Sequence, residues 1–386
     1  MFHVQLKQQT TMKTVTSISI GALLCSNLFA QGVITRQNAG QSYFYYNGDI
    51  QTVLDDADAT AGVDTILLGG GAYDLNTDIT PGDDLFIRSQ VVLIGTGIHP
   101  DSSLAYNNNG RTEITGNQYS QVFFEPNASG SQVHGVTFAN GVDVDFGPSD
   151  LASTNVDNVK FFRCLFTGYV ALGNNQYGSQ ANDTYLHECV LAGSIDISHA
   201  LNTIVRNSSI AGGIGNSGVG ENTLIENCIL FWPANANISG LQMEHNVFII
   251  NSGAPNTFNG QSTYLNNVFV GSSSGFTITF NAGTGTVGSN NVPRYPLSGG
   301  GPLAAFPSTS VTSYTAFDWY ADYHLNPNVP LNVLNAGIFG GGAASAWKPG
   351  SVPFNPHWVA LEAPGGTTTV NGTLQNVTIK ATAQQD

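Results

Sequence analysis

The sequence has few charged side chains for its length. Only 10% of its 386 residues are Asp, Glu, Lys or Arg, whereas a typical globular domain contains about 25%. The 11 basic residues are outnumbered by 26 acidic ones, which gives a formal net charge of −15. No Lys/Arg cluster is available to neutralise phosphates, so we expect no binding to nucleic acid. The same composition argues against a long helical bundle or a coiled coil.

The sequence also lacks an even set of cysteines. Of its four cysteines, Cys25 falls in the N-terminal leader described next, which leaves Cys164, Cys189 and Cys228. An odd number does not suit a disulfide framework, and their wide spacing does not suit a zinc site. Beyond the leader, no segment is long and apolar enough to predict a transmembrane helix.

Residues 1–30 have the pattern of an export signal. They contain no acidic residue, and Lys13 precedes a short apolar stretch that ends in Leu28–Ala30, just before Gln31. We expect translation to start at Met12 and the leader to be removed. The sequence therefore predicts a secreted or cell-surface protein of bacterial type.

Six eight-residue segments in the middle of the chain align without gaps. The segments are 159–166, 184–191, 203–210, 223–230, 241–248 and 262–269. The sixth residues of successive segments are 25, 19, 20, 18 and 21 residues apart. We number the aligned positions as columns one to eight. Columns three and eight are apolar or aromatic throughout, and such short runs are typical of strands separated by Gly/Asn/Ser turns. A period near 20 residues predicts a parallel β-helix, whose successive turns lie about 4.8 Å apart.

Column six contains small or polar residues, namely Cys164, Cys189, Ser208, Cys228, Asn246 and Asn267. It lies two residues before the apolar column eight, so its side chains are expected to point inward. Free cysteines are among the most buried residues, which favours an inward stack. A Cys164–Cys189 disulfide between adjacent turns is the alternative.

The region before the repeats resembles the start of a known superfamily. Asp49–Ala57 has apolar residues at helical spacing with Asp49 as a plausible N-cap, and Gly62–Tyr73 and Val91–Gly97 follow as strands. This order resembles the N-terminus of the pectin-lyase-like right-handed β-helices. In that superfamily a short helix covers the open end of the first turn, which would otherwise expose a sheet edge.

The region after the repeats resembles a narrower group. Asn335–Gly341 and Trp347–His357 are similar to the closing segment of secreted bacterial β-helix repeat proteins of the Bacteroidota type. The resemblance implies an all-β fold, a right-handed parallel β-helix solenoid with an N-terminal capping helix and a C-terminal cap. The expected segments are a signal peptide over 1–30, an N-terminal segment and capping helix over 31–62, the β-helix over 63–300, and the cap with a terminal strand over 301–386.

Four of the six side chains in column four are ionisable, and they are His187, Arg206, Glu226 and Glu244. This column is adjacent to the inward column three, so they are expected to face solvent as a ladder. One interpretation is a calcium-assisted polysaccharide lyase in which Arg206 is the base and Glu226 and Glu244 hold Ca²⁺. The interpretation we favour is a solvated ladder of opposite charges, each pair worth about 0–1 kcal/mol.

A second candidate for metal binding is the pair Asp143 and Asp145, which lies on one face of a strand and offers carboxylates to Ca²⁺. A turn-side acidic patch without metal is the interpretation we favour. Two aromatic clusters, Tyr43–Tyr46 and Trp319–Tyr323, suit either sugar stacking or the core of an end cap, and the cap is favoured.

The sequence thus predicts an exported, non-catalytic binding or scaffold protein whose expected partners are polysaccharides or cell-surface proteins. No cofactor is expected apart from Ca²⁺ in the lyase alternative. Two alternatives stay open. One is a Ca²⁺-assisted lyase acting on uronic-acid glycans, and the other is a subunit of a larger cell-surface complex.

Overall fold

A computed structural model describes residues 33–46, 49–76, 84–101, 110–117, 119–147, 155–174, 179–215, 222–232, 239–307, 309–341, 347, 357–362, 368–370, 373–375 and 378–382. The predicted signal peptide and the start at Met12 lie outside the described residues. No helix in the described part of the chain is long and apolar enough to cross a membrane.

Three sheets run along the molecule. The first has twelve strands, in the spatial order Gln41–Tyr45, Ile34–Asn38, Asp64–Leu67, Val91–Ile94, Gln132–His134, Lys160–Phe162, Tyr185–His187, Ile204–Arg206, Thr223–Glu226, Leu241–Glu244, Thr263–Leu265 and Val287–Ser289. The second has ten, namely Gly71–Asp74, Thr112–Thr115, Val136–Phe138, Leu165–Phe166, Val190–Leu191, Ser209–Ile210, Ile229–Trp232, Val247–Ile250, Val268–Val270 and Val292–Arg294. The third has six, namely Leu85–Ile87, Gln121–Phe124, Asp143–Phe146, Val170–Ala171, Ile195–Asp196 and Ile214–Gly215.

Smaller elements complete the described structure. Short strands at the turns are Val156–Asp157, Gly173–Asn174, Ser179–Asn182, Ala200–Leu201, Asn256–Phe258 and Ile278–Phe280. Single 3-10 turns lie at Pro126–Ala128, Ala282–Thr284 and Leu331–Val333. Near the C-terminus His357–Glu362 pairs antiparallel with Thr378–Thr382, and Thr368–Val370 pairs antiparallel with Thr373–Gln375.

The predicted columns coincide with the register of the first sheet. Phe161 pairs with Leu186, and Leu186 pairs with Val205, in parallel strands. Columns three and eight are buried in one continuous core, where the rings of Phe248 and Phe269 stack with centroids 4.5 Å apart. The repeats are therefore successive turns of one solenoid, and the predicted parallel β-helix is confirmed.

Column six forms a hydrogen-bonded stack inside the solenoid, and all six side chains are fully buried. The Asn246 amide donates to the carbonyl of Ile225 in the preceding turn (2.8 Å) and accepts from the Cys228 backbone N–H (2.8 Å). The Cys228 thiol takes the corresponding position one turn earlier and donates to the carbonyl of Val205 (3.5 Å). The three cysteines are free thiols, so the inward stack is confirmed and the Cys164–Cys189 disulfide is not formed.

Column five makes the bend between the first and second sheets. All six of its residues have a left-handed backbone, with φ between 47° and 54°, and they are Arg163, Glu188, Asn207, Asn227, His245 and Asn266. Asn and His are among the residues that tolerate this conformation best. Arg163 and Glu188 are almost fully buried, and the Arg163 Nε donates to Glu188 Oε2. This column-five pair is therefore not part of the outward-facing ladder expected for column four, because the bend turns it inward.

The N-terminal end is covered as predicted. The helix Ile50–Asp58 is capped by Asp49, whose Oδ1 accepts from the Thr52 N–H (3.1 Å). The Gln51 side chain accepts from the backbone N–H of Phe86 (2.8 Å) and donates to its carbonyl (3.2 Å). This contact satisfies backbone groups at the free edge of the third sheet, where an open strand would otherwise be exposed.

The chain after the last turn covers the side of the solenoid. Apolar side chains of column seven point outward from the second sheet and are buried in a second core beneath the described residues between 297 and 347. The Asn207 amide donates to the carbonyls of Ile338 (2.9 Å) and Gly340 (3.0 Å), and the Asn227 amide donates to that of Asn335 (2.6 Å). The described residues between 301 and 347, which were expected to belong to a C-terminal cap, therefore lie along the second sheet, held to the bend by these amides.

Candidate functional site

The outer face of the first sheet carries the candidate residues. Columns two and four point outward from it, and the parallel register places His187 beside Arg206, Arg206 beside Glu226, and Glu226 beside Glu244. All four of these side chains are partly exposed. The sequence-predicted ladder of column four is thus present as expected.

Arg206 and Glu226 form the central pair of this ladder. Arg206 donates through Nη2 (2.6 Å) and Nε (3.0 Å) to Oε2 of Glu226. Burial lowers the pKa of Arg206, but the hydrogen bond and the charge of Glu226 outweigh it, so the net shift is upward. This arrangement keeps the guanidinium protonated.

Next to this pair, two carboxylates and an imidazole converge. Ligand atoms of Glu226, Glu244 and His245 lie within 4.8 Å of one another. His245 is the column-five residue that follows Glu244, so the bend brings its ring to the edge of the ladder. Among the described residues this is the single trio of potential metal-binding side chains.

On the other side of Arg206 the ladder becomes aromatic. The rings of Tyr185 and His187 stack with centroids 5.7 Å apart, and His134 stacks on Phe162 at 4.7 Å. Phe162 and Tyr185 meet edge to face at 5.7 Å. Burial, with a smaller effect of Arg163, lowers the pKa of His134 to about 4, so its ring is neutral at physiological pH.

A hollow of about 380 Å³ opens beside these rings, at the small end of the usual range for ligand pockets. Its wall is made by column-two residues of three turns, by one column-four ring and by residues just before two of the strands, namely Lys160, Phe162, Asp183, Thr184, Tyr185, Asn202 and Ile204. The Asn202 amide donates to Oδ1 of Asp183 in the preceding turn (3.1 Å). Burial raises the pKa of Tyr185, and the nearby Arg206 only partly offsets this effect, so the hydroxyl remains a hydrogen-bond donor.

Asp143 and Asp145 lie on another face, the outside of the third sheet. Val144 between them points into the core, so the predicted placement of both carboxylates on one strand face is confirmed. Asp143 accepts from the Tyr169 backbone N–H (2.6 Å). Burial, then the charges of Asp143 and Asp84, raise the pKa of Asp145 to about 6. Neither carboxylate belongs to a trio of metal-binding side chains within the described residues.

The aromatic clusters are placed at opposite ends of the chain. Tyr43 and Tyr45 lie on the antiparallel hairpin that begins the first sheet, and Tyr45 donates to Asp56 of the capping helix (2.8 Å). Tyr323 is buried in the layer over the second sheet, whereas Tyr320 is 65% exposed. Both clusters therefore contribute packing, and the exposed ring of Tyr320 meets that of His99 edge to face at 6.0 Å.

Two features of the site were not predicted from the sequence. The hollow depends on Tyr185 and Phe162 being neighbours across turns, and the outward pattern of columns two and four would have identified both. The closeness of His245 to Glu226 follows from the bend, which no periodicity reveals.

Comparisons with family models, curated proteins and solved structures find no match for this chain. The assignment of its fold therefore depends on the sheet register, and its function on the chemistry of the surfaces described above.

Proposed function

We propose that the chain is an exported, non-catalytic β-helix protein that binds glycans outside the cell or at its surface. The observation that carries this proposal is the hollow on the first sheet, which combines aromatic rings with amide, carboxylate and ammonium groups. Sugar rings have apolar faces that pack on aromatic side chains and hydroxyls that need hydrogen-bond partners. The net charge of −15 favours neutral glycans over polyanionic ones.

Tyr185 is the residue on which this binding depends most. Its ring is held on one side by the stacked His187 and at its edge by Phe162, so little side-chain entropy is lost when a ligand packs on it. Lys160 and Asn202 lie around the same hollow and supply donors for sugar hydroxyls. The arrangement is a preformed platform with polar groups at its rim.

The test is titration of the protein with soluble fragments of xylan, mannan and β-glucan by isothermal calorimetry. We expect at least one fragment to bind, and we expect Tyr185→Ala to weaken it about tenfold, which corresponds to one aromatic contact of about 1.4 kcal/mol. The matched control is Tyr320→Ala, which removes an exposed tyrosine remote from the hollow and should leave binding unchanged. No binding at millimolar fragment, or equal losses in both variants, would overturn the proposal.

A calcium-assisted polysaccharide lyase is the second candidate, because Arg206, Glu226 and Glu244 are neighbours on one face. A lyase base has to accept a proton, and the raised pKa of Arg206 disfavours that role. Incubation with uronic-acid polysaccharides and Ca²⁺ should therefore give no absorbance of unsaturated products. Product that disappears in Arg206→Gln would establish the lyase instead.

A further inference from the structure

The trio Glu226, Glu244 and His245 combines two oxygen ligands with one nitrogen ligand. Glu226 and Glu244 are paired residues of adjacent strands in the first sheet, and His245 directly follows Glu244 at the bend. Their ligand atoms lie within 4.8 Å of one another, which is close enough for small side-chain adjustments to bring all three to one ion at about 2.0–2.2 Å.

His245 has no other role for its side chain in the described structure. Its backbone is held on both sides, because its N–H donates to the carbonyl of Leu265 (3.1 Å) and its carbonyl accepts from the backbone N–H of Gly337 (2.8 Å). Within the described part of the chain, no hydrogen bond or ion pair involves its imidazole. The equivalent side chains Asn207 and Asn227 hold the segment 335–340, so the ring differs from its column neighbours in chemistry and in contacts.

Outer contacts orient the two carboxylates. Arg206 occupies Oε2 of Glu226, and the Gln242 amide donates to Oε1 of Glu244 (2.5 Å). Each carboxylate keeps a second oxygen for a cation. Hydrogen bonds of this kind fix the direction of ligating groups in metal sites.

We propose that Glu226, Glu244 and His245 bind a divalent transition-metal ion of the Zn²⁺ class. Ca²⁺ takes six to eight oxygen ligands, whereas imidazole suits Zn²⁺, Cu²⁺, Fe²⁺ and Ni²⁺. The nitrogen ligand thus changes the expected ion from the Ca²⁺ predicted for Glu226 and Glu244 in the lyase alternative. This site is independent of the glycan hollow, which lies on the other side of Arg206.

The test is equilibrium binding of Zn²⁺ and of Ca²⁺ to the intact protein, together with the visible spectrum of added Co²⁺. We expect one Zn²⁺ per chain, bound more tightly than Ca²⁺. His245→Asn introduces the residue that Asn227 and Asn266 supply at the same left-handed position, so the fold should be retained, as circular dichroism will verify. We expect this variant to weaken Zn²⁺ binding at least tenfold, since even the loss of an outer partner of a metal ligand costs 10–100-fold.

The matched control is His324→Asn. His324 is an exposed histidine whose Nδ1 lies 2.6 Å from Oδ1 of Asp322, and no third potential ligand joins this pair among the described residues. Its loss should leave the tightest Zn²⁺ site unchanged. The proposal is overturned if no stoichiometric Zn²⁺ binds, if Ca²⁺ binds more tightly, or if His245→Asn has no greater effect than His324→Asn.

Discussion

Asn246→Ala removes two buried hydrogen bonds that join one turn of the solenoid to the preceding turn. The Asn246 side chain is fully buried, and its loss leaves the Cys228 N–H and the Ile225 carbonyl without their partner at 2.8 Å. Each unsatisfied buried group costs about 1–3 kcal/mol. Partial relaxation reduces the sum, so we expect the free energy of unfolding to fall by about 2–4 kcal/mol.

Asn246→Ser should have a smaller effect. In the column-six residue Ser208, the hydroxyl accepts from the Cys189 N–H (3.0 Å), so a serine restores the acceptor for Cys228. The hydrogen bond from the side chain to the carbonyl of Ile225 is still lost in this variant. We expect it to lose about half as much stability as the alanine variant.

Urea unfolding followed by circular dichroism measures these losses. The control is Asn266→Gly, which removes a neighbouring side-chain amide. Residue 266 has a left-handed backbone (φ 54°), a conformation that glycine adopts readily, so this variant should change the free energy of unfolding by less than about 0.5 kcal/mol. If Asn246→Ala unfolds at the same urea concentration as the wild type, the stack does not stabilise the fold and the reasoning fails.

Three further perturbations have expected outcomes. A double variant, Asn207→Ala and Asn227→Ala, should release the segment that the two amides hold. Hydrogen exchange should then show a loss of protection over residues 335–341, while the core strands stay protected. Asp145→Asn should stabilise the protein at pH 7.5 by about 1–3 kcal/mol. The pKa of Asp145 is about 6 in the folded state, which is above the pKa of an Asp in the unfolded chain, so the wild-type protein gains stability as the pH falls from 6 towards 4. The difference in melting temperature between the wild type and the variant should therefore disappear in that range. Glu188→Gln should cost about 3–5 kcal/mol because it removes the carboxylate charge beside the buried guanidinium of Arg163. Replacing both residues by Asn, the residue at three equivalent positions of later turns, should recover most of that loss in chemical denaturation.

The stacking of the turns could be predicted because each turn repeats the same physical constraint. A column such as Phe166, Leu191 and Ile210 has to be apolar in every copy, so the core appears in the sequence as an alignment. The inward direction of Cys164 and Cys189 follows from the same two-residue alternation. The N-cap Asp49 was predictable because capping depends on local sequence alone.

The layer over the second sheet could not be predicted in the same way. Asn207 and Asn227 hold it through the carbonyls of Ile338, Gly340 and Asn335, and backbone acceptors leave no trace in residue identity. Likewise, the outward column seven is apolar, but nothing in its pattern says which distant segment covers it. Interactions between elements far apart in the chain have to be observed in three dimensions.

The layer of residues 297–347 also limits how modular this solenoid can be. Repeats in solenoids usually contact only their neighbours, yet here Ile98 of an early turn shares a core with Val268 of a late one, and the ring of His99 meets that of Trp319 at 5.5 Å. A chain that ends before residue 297 would leave the apolar outer face of the second sheet open to self-association. Insertion or deletion of a whole turn would shift every later contact of this layer by about 4.8 Å, so we expect evolution to have kept the number of turns and the length of the layer matched to each other.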